Sequence, residues 1–191
     1  LVKNAPLALC RQAYIPTASR FMCYEYITPY LFEAVGADMG SPTEENFAKA
    51  FRFCDSVPKS EAANRDACFG GFGEEFVGLV QSRDIRQSSA NSIPDTSLKQ
   101  IYQWCLLAKI TDGQAACVVH AVNSLYWGGE NERKTPVRFC AQNEEDYLRG
   151  TCYTNLTTAV SYYISDSSYR TEYCSEIPEE FRGDCRKRLN V

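Results

Sequence analysis

The stretch Ala50–Phe76, AFRFCDSVPKSEAANRDACFGGFGEEF, contains the pattern from which the fold can be predicted. An aromatic residue precedes its first cysteine, Cys54, and a proline follows four residues after that cysteine. Beyond the second cysteine, Cys68, phenylalanines follow at four and eight residues. Residues at this spacing lie on one face of an α-helix. The stretch therefore predicts two helices that are joined by a turn and linked by their cysteines.

The ten cysteines of the chain repeat this arrangement in five couples: Cys10/Cys23, Cys54/Cys68, Cys105/Cys117, Cys140/Cys152 and Cys174/Cys185. The members of a couple are 11 to 14 residues apart, and successive couples begin 34 to 51 residues apart. Because the count is even and no Cys-x-x-Cys is present, disulfides in an oxidising compartment are favoured over metal ligands or free thiols. The regular spacing predicts that each cysteine forms a disulfide with the other member of its couple.

Helix signals accompany the couples. The sequence Ser41-Pro42-Thr43-Glu44 predicts a capping box with proline at the first helical position. Asp95 or Thr96 is predicted to cap the helix that leads to Cys105. Breaks are predicted after each first cysteine, at Ile15-Pro16, Val57-Pro58, Thr111-Asp112-Gly113, Gln142-Asn143 and Ile177-Pro178. Apolar rows continue past the second cysteines at Ile27 and Leu31, Phe72 and Phe76, Ala121 and Leu125, and Leu156 and Val160.

Four segments depart from the regular pattern. Thr28-Pro29 predicts a kink within a helix, and Gln81–Pro94 reads as a polar loop or mobile insertion. Trp127-Gly128-Gly129 is typical of a helix end. The last helix is expected to be truncated or frayed near Val191.

These patterns predict an all-α fold, an array of about five helical hairpins (αα repeats), each stapled by a local disulfide and arranged as a solenoid or a compact bundle. We expect one disulfide-rich domain over residues 1–191. Its approximate repeats are 4–40, 41–80, 95–129, 130–164 and 165–191, with a polar loop at 81–94. The layout resembles the αα-hairpin solenoids, but no tetratricopeptide or ankyrin signature is present, and no family is assigned.

No catalytic, cofactor-binding or metal-ligating residue is predicted. His120 is the only histidine, and a nucleophilic pair with Cys117 would need a free thiol, whereas Cys117 is assigned to a disulfide. A zinc site is not expected from one histidine without a Cys-x-x-Cys. Glu74 and Glu75 are adjacent, so they point about 100° apart on a helix and are expected to be solvated acids.

Two further segments admit two interpretations each. The glycines of Phe69–Gly73 would let a ligand approach the backbone, or would let two helices cross at short distance, and we favour the second. The cluster Tyr162-Tyr163-Ile164 and the nearby Tyr169 fit either a surface patch for a partner or core packing with polar tips. The basic residues Arg182 to Arg188 are expected to offset the dipole of the last helix.

The net charge of −4, with scattered Lys and Arg, argues against nucleic-acid binding. The sequence contains no run of about 20 apolar residues, so no membrane span is predicted. The start at Leu1 suggests a mature or trimmed form. The sequon Asn155-Leu156-Thr157 is attributed to chance.

We expect a non-enzymatic subunit, secreted, extracellular or periplasmic, that has a structural or protein-binding role and self-assembles or binds a protein partner. The alternative is a carrier of a small apolar ligand in a helical cavity, without a cofactor.

Overall fold

The computed structural model of the chain describes residues 5–38, 41–82, 93–128 and 132–191. Over these residues the chain is helical, with ten α-helices, two short 3-10 helices and no β-strand. The all-α prediction is therefore confirmed. Most of the predicted polar loop at 81–94 lies outside the described residues.

The helices follow the cysteine couples along the chain. Two 3-10 helices, Pro6–Arg11 and Thr17–Ser19, precede the first α-helix. The α-helices are α1 (Arg20–Tyr26), α2 (Thr28–Ala34), α3 (Glu44–Asp55), α4 (Ala62–Val80), α5 (Asp95–Cys105), α6 (Thr111–Gly128), α7 (Lys134–Ala141), α8 (Asp146–Tyr163), α9 (Ser167–Glu176) and α10 (Glu179–Leu189).

All ten cysteines form disulfides, and each bond joins the two members of one couple, as predicted. The Cα atoms of each pair are 5.5 to 5.7 Å apart, within the range that a disulfide requires. Four of the bonds link two consecutive α-helices, and the first links the 3-10 helix Pro6–Arg11 to α1, with the short 3-10 helix Thr17–Ser19 between them. In the first couple the leading piece is a 3-10 helix, so the hairpin there is less regular than the other four.

The chain divides into two compact units. Unit 1 comprises Leu1–Phe76 and Gln103–His120, and unit 2 comprises Val77–Tyr102 and Ala121–Val191. Three disulfides lie in unit 1 and two in unit 2. The single domain and its five repeat boundaries remain predictions.

The core of unit 1 is an aromatic cluster formed by Phe32, Phe47, Phe51, Phe72, Phe76 and Trp104. Its closest ring pair is Phe51 with Phe72, stacked with centroids 3.9 Å apart. The core of unit 2 contains tyrosines that keep a polar partner. The Tyr173 hydroxyl lies 2.9 Å from Oγ1 of Thr157, and both side chains are buried. Burying large rings in this way supplies a large apolar contact area that helps to hold short helices together.

The predicted apolar rows after the second cysteines are all buried. Ile27 lies between α1 and α2, and the other seven residues lie on α2, α4, α6 and α8. In α4, α6 and α8 the period of 3.6 residues puts the row on the same helix face as the second cysteine.

Several local predictions were wrong in detail. The capping box of α3 is formed by Thr43 and Asn46 rather than by Ser41 and Glu44. Thr28-Pro29 begins a separate helix, α2, instead of kinking one helix, because proline suits a first helical turn. Asp95 is itself the first residue of α5, and its carboxylate accepts a hydrogen bond from Arg138.

The other corrections concern helix ends. The third break lies at 106–110, so that Thr111 begins α6 instead of interrupting the chain. The last helix is not frayed: α10 runs to Leu189, which is buried, and Asn190 ends it in the left-handed conformation at φ 55°. Gly129 of the predicted end of α6 lies outside the described residues.

A long polar side chain stands three residues before every second cysteine: Arg20, Arg65, Gln114, Arg149 and Arg182. In three couples this side chain donates to backbone carbonyls in the turn after the first helix. The residue three positions after the first cysteine is an acceptor in each case: Val57 for Arg65, Ala108 for Gln114 and Ile177 for Arg182. Carbonyls at a helix end lack partners within the helix, so this side chain caps the hairpin from inside. The position is a further sequence signal of the repeat.

We expect Arg65→Ala to lower the free energy of unfolding by about 2 kcal/mol, because it removes the donor from the carbonyls of Cys54, Asp55 and Val57. The Arg65 side chain is only 14% exposed, so water replaces it poorly. Urea unfolding followed by circular dichroism measures the change. Arg52→Ala, on the exposed face of α3, is the control and should cost less than about 0.5 kcal/mol. Equal effects of the two substitutions would contradict this capping role.

Candidate functional site

Four titratable side chains converge within unit 1. Asp66 and Glu74 lie eight residues apart on one face of α4, with Gly70 midway between them. His120 comes from α6, and Glu25 comes from α1. Glu25, Glu74, Asp66 and His120 together are called the His120 cluster below.

Two glycines of α4 make this convergence possible. A Cβ atom on Gly70 would lie 2.3 Å from Cδ2 of His120, and one on Gly71 would lie 2.0 Å from the carbonyl oxygen of Glu25. No real side chain tolerates such distances, so the glycines let the neighbouring helices approach α4 closely. The interpretation of the glycine string as a close helix crossing is confirmed.

The two ring nitrogens of His120 face different carboxylates. Nδ1 of His120 lies 3.2 Å from Oε1 of Glu25 and 3.4 Å from Oε1 of Glu74. Nε2 lies 3.7 Å from Oδ2 of Asp66. The side chains of His120 and Glu25 are 17% and 16% exposed, whereas Asp66 is 63% exposed. The cluster therefore opens to solvent on the Asp66 side and is enclosed around Glu25.

The charged groups of the cluster shift one another's pKa values. Burial lowers the pKa of His120, but hydrogen bonding to Asp66 and Glu74 and the charge of Glu25 outweigh it and raise the pKa to about 9. Burial and the nearby Glu74 both raise the pKa of Glu25, because two carboxylates resist ionising together. Without another cation, the charged imidazole holds the carboxylates in place.

The expectation that Glu74 is a solvated acid was wrong. Its side chain is only 31% exposed and lies beside His120. The assignment of Cys117 was correct, since its sulfur is bonded to Cys105 and no Cys-His nucleophilic pair exists. The spacing of Asp66, Gly70 and Glu74 could have indicated one face of α4, whereas no local signal points to Glu25.

The cluster also offers atoms of the types that ligate metal ions. One ligand atom from each of Glu25, Glu74 and His120 can be chosen so that all three lie within 4.8 Å of one another. Imidazole nitrogens and carboxylate oxygens are both ligand types that zinc binds.

A second surface feature lies in unit 2, where Trp127, Tyr162 and Tyr163 are 43%, 80% and 59% exposed. The rings of Trp127 and Tyr163 meet edge to face with centroids 4.1 Å apart, and Tyr162 lies 6.3 Å from Tyr163. These three residues are called the aromatic patch. Tyr162 and Tyr163 therefore lie at the surface and not in the core, whereas Tyr173, ten residues after Tyr163, is fully buried. A partner for this surface stays a prediction. The basic residues Arg186, Lys187 and Arg188 occupy the last turn of α10, where a positive charge is favourable.

An open groove of about 560 Å³ lies in unit 1. It is lined by Lys59, Ala62, Ala63, Arg65, Asp66, Phe69, Ile110 and Asp112. Four of these eight residues are charged, so the groove does not provide an enclosed apolar cavity.

No helix in the described ranges is both long enough and apolar enough to span a membrane.

No protein-family model, curated protein or solved structure matches the chain.

The raised pKa of His120 predicts that the metal-free protein loses stability at alkaline pH. In the unfolded chain a histidine has a pKa near 6.5, whereas in the folded chain it is about 9. The stabilisation is therefore complete below about pH 6.5 and disappears as the pH rises through 9, with an expected loss of about 3 kcal/mol. Urea unfolding between pH 6 and pH 10 in EDTA should show this loss in the wild type and not in His120→Gln.

Since His120 is the only histidine, its imidazole signals in an NMR titration give the pKa directly. Glu74→Gln should lower this pKa, and Glu44→Gln, at an exposed position of α3, should leave it unchanged. A wild-type pKa at or below 6.5 would contradict the charged contacts.

Proposed function

We propose that the protein is a non-enzymatic, secreted subunit that acts by binding other protein chains, including copies of itself, through the aromatic patch. Five disulfides are compatible with an oxidising compartment. All cysteines are bonded, which removes thiol chemistry and leaves stapled helices suited to presenting a fixed surface.

The exposure of three adjoining aromatic rings is the observation that carries this proposal. Tyr102, Tyr126, Tyr153 and Tyr173 of the same unit are at most 1% exposed, so the unit does bury its tyrosines where packing allows. Trp127, Tyr162 and Tyr163 instead stay exposed, and the ring of Tyr163 is next to each of the other two. Tryptophan and tyrosine are enriched among the residues that dominate binding energy at protein interfaces, since they give large apolar contact with little loss of conformational entropy.

The experiment is sedimentation of the wild type over a range of micromolar concentrations. We expect concentration-dependent association, which is lost in the double variant Tyr162→Ser/Tyr163→Ser. The control is Tyr14→Ser/Tyr147→Ser, which removes two tyrosines that are 72% and 56% exposed outside the patch and should associate like the wild type.

A different protein partner would be identified by a photocrosslinking residue at position 162, compared with the same residue at position 147. A crosslinked species specific to position 162 supports the proposal. A wild type that stays monomeric and gives no such species overturns it.

The alternative role, transport of a small apolar ligand, remains a prediction from the sequence. The 560 Å³ groove does not favour it, because Lys59, Arg65, Asp66 and Asp112 contribute half of its lining residues.

A further inference from the structure

We propose that Glu25, Glu74 and His120 bind one divalent transition-metal ion, for which zinc is the preferred probe, and that Asp66 orients the imidazole ring. The site goes beyond the proposed association of the protein and does not depend on it.

The separations between the ligand atoms match a metal polyhedron. For metal–ligand bonds of about 2.0–2.1 Å, two ligands of a tetrahedral ion lie roughly 3.3 Å apart. Nδ1 of His120 lies 3.2 Å from Oε1 of Glu25 and 3.4 Å from Oε1 of Glu74. These two edges fit an ion placed between the three side chains, and the two carboxylate oxygens lie within 4.8 Å of each other.

Hydrogen bonding alone satisfies this arrangement poorly. The single proton on Nδ1 faces two carboxylates, and both distances exceed the usual N–H···O separation of about 2.9 Å. Glu25 and Glu74 also face each other in a site where both are mostly shielded from water, so they repel when both are ionised and can hydrogen-bond only when one of them holds a proton. One divalent ion would replace the imidazole proton, bind all three groups and neutralise both carboxylates.

The other imidazole nitrogen supplies a second, independent feature. Nε2 lies 3.7 Å from Oδ2 of Asp66, an ion-pair distance from which the exposed Asp66 side chain can rotate into hydrogen-bond range, and Asp66 lies one helical turn before Gly70 on α4. Metal-bound histidines usually donate their other ring N–H to a carboxylate or carbonyl, which fixes the ring and strengthens the ligand. Gly70 lies directly under the ring, so the imidazole is held against α4 on one side.

Three protein ligands leave a fourth position for water or for a group from another molecule. Glu74 is 31% exposed, which gives an ion a route into the cluster from solvent. Because the imidazole must lose its proton to bind, zinc binding should release protons and weaken as the pH falls.

The test uses the full chain with its disulfides intact, stripped of metal with EDTA and free of any polyhistidine tag. Calorimetric titration with Zn²⁺ should give one ion per chain, with an enthalpy that depends on the buffer because protons are released. The imidazole NMR signals of His120 should shift on zinc addition, and they need no assignment because the chain has one histidine. Co²⁺ should give visible absorption bands of a low-coordinate site.

Three variants separate the roles within the site. His120→Gln and Glu74→Gln should reduce zinc affinity by roughly 100-fold or more, and Asp66→Asn by about 10- to 100-fold. Glu44→Gln, the same change at an exposed glutamate of α3, should stay within about twofold of the wild type. Circular dichroism establishes that each variant is folded.

The proposal is overturned if the wild type binds no stoichiometric zinc, if the His120 signals do not respond to it, or if Glu74→Gln binds as tightly as the wild type. The wild-type NMR result decides the matter even if His120→Gln does not fold.

Discussion

Gly71→Ala should lower the free energy of unfolding by about 3 kcal/mol or more, a large effect for the addition of one methyl group. The new Cβ would lie 2.0 Å from the Glu25 carbonyl oxygen and 2.6 Å from Oγ1 of the buried Thr28. Because the Glu25 carbonyl oxygen belongs to the backbone, it cannot move away by a side-chain rotation. The helix α1 must therefore move away from α4. Overpacking of this kind typically costs 1–3 kcal/mol or more when the backbone has to shift.

Gly78→Ala is the matched control for this prediction. It lies on the same helix, α4, and a Cβ there meets no atom within 4 Å. Since alanine has a higher helix propensity than glycine, this variant should gain up to about 1 kcal/mol. Thermal and urea unfolding of both variants measure the difference, which should be about 4 kcal/mol in total. Similar stabilities for Gly71→Ala and Gly78→Ala would contradict the close crossing.

Removing one disulfide should have an effect of comparable size. The double variant Cys54→Ala/Cys68→Ala releases a bond that spans 14 residues between α3 and α4. Closing a loop of this length is worth about 3 kcal/mol, because the bond restricts the unfolded chain. Both cysteines are also fully buried beside the apolar rows, so their loss leaves a small packing defect at the hairpin interface.

Guanidinium unfolding of this variant without reductant measures the loss. Ser60→Ala, an exposed change within the same turn, is the control and should cost less than about 0.5 kcal/mol. A loss below about 1 kcal/mol for the double cysteine variant would mean that helix packing alone holds this hairpin. Reduction of all five bonds is expected to unfold the chain.

Much of the helix pattern could be predicted because its signals are local. Phe72 and Phe76 follow Cys68 at helical spacing, and both are fully buried. Some of the predictions that were wrong concern choices within two residues, such as Thr43 rather than Ser41 as the cap of α3. Such choices depend on which hydroxyl meets the backbone N–H groups, and the sequence offers several candidates at the same spacing.

The aromatic patch shows a different limit of sequence reasoning. Tyr163 and Tyr173 are the same residue type and both lie in helices, yet Tyr163 is 59% exposed and Tyr173 is fully buried. Tyrosine suits either environment, so its fate depends on which helix face meets a neighbour. Tyr163 ends α8 in solvent, whereas Tyr173 faces Thr157 across the core.

The sequence by itself determined the helical hairpins and their disulfides, because these contacts join residues 11 to 14 positions apart and follow a repeated spacing. Only the tertiary structure decided the His120 cluster. Its members come from three helices, and His120 and Glu74 are 46 residues apart, with no repeated spacing to connect them. Their meeting depends on how closely α1 and α6 pack on α4, and Gly70 and Gly71 set that distance.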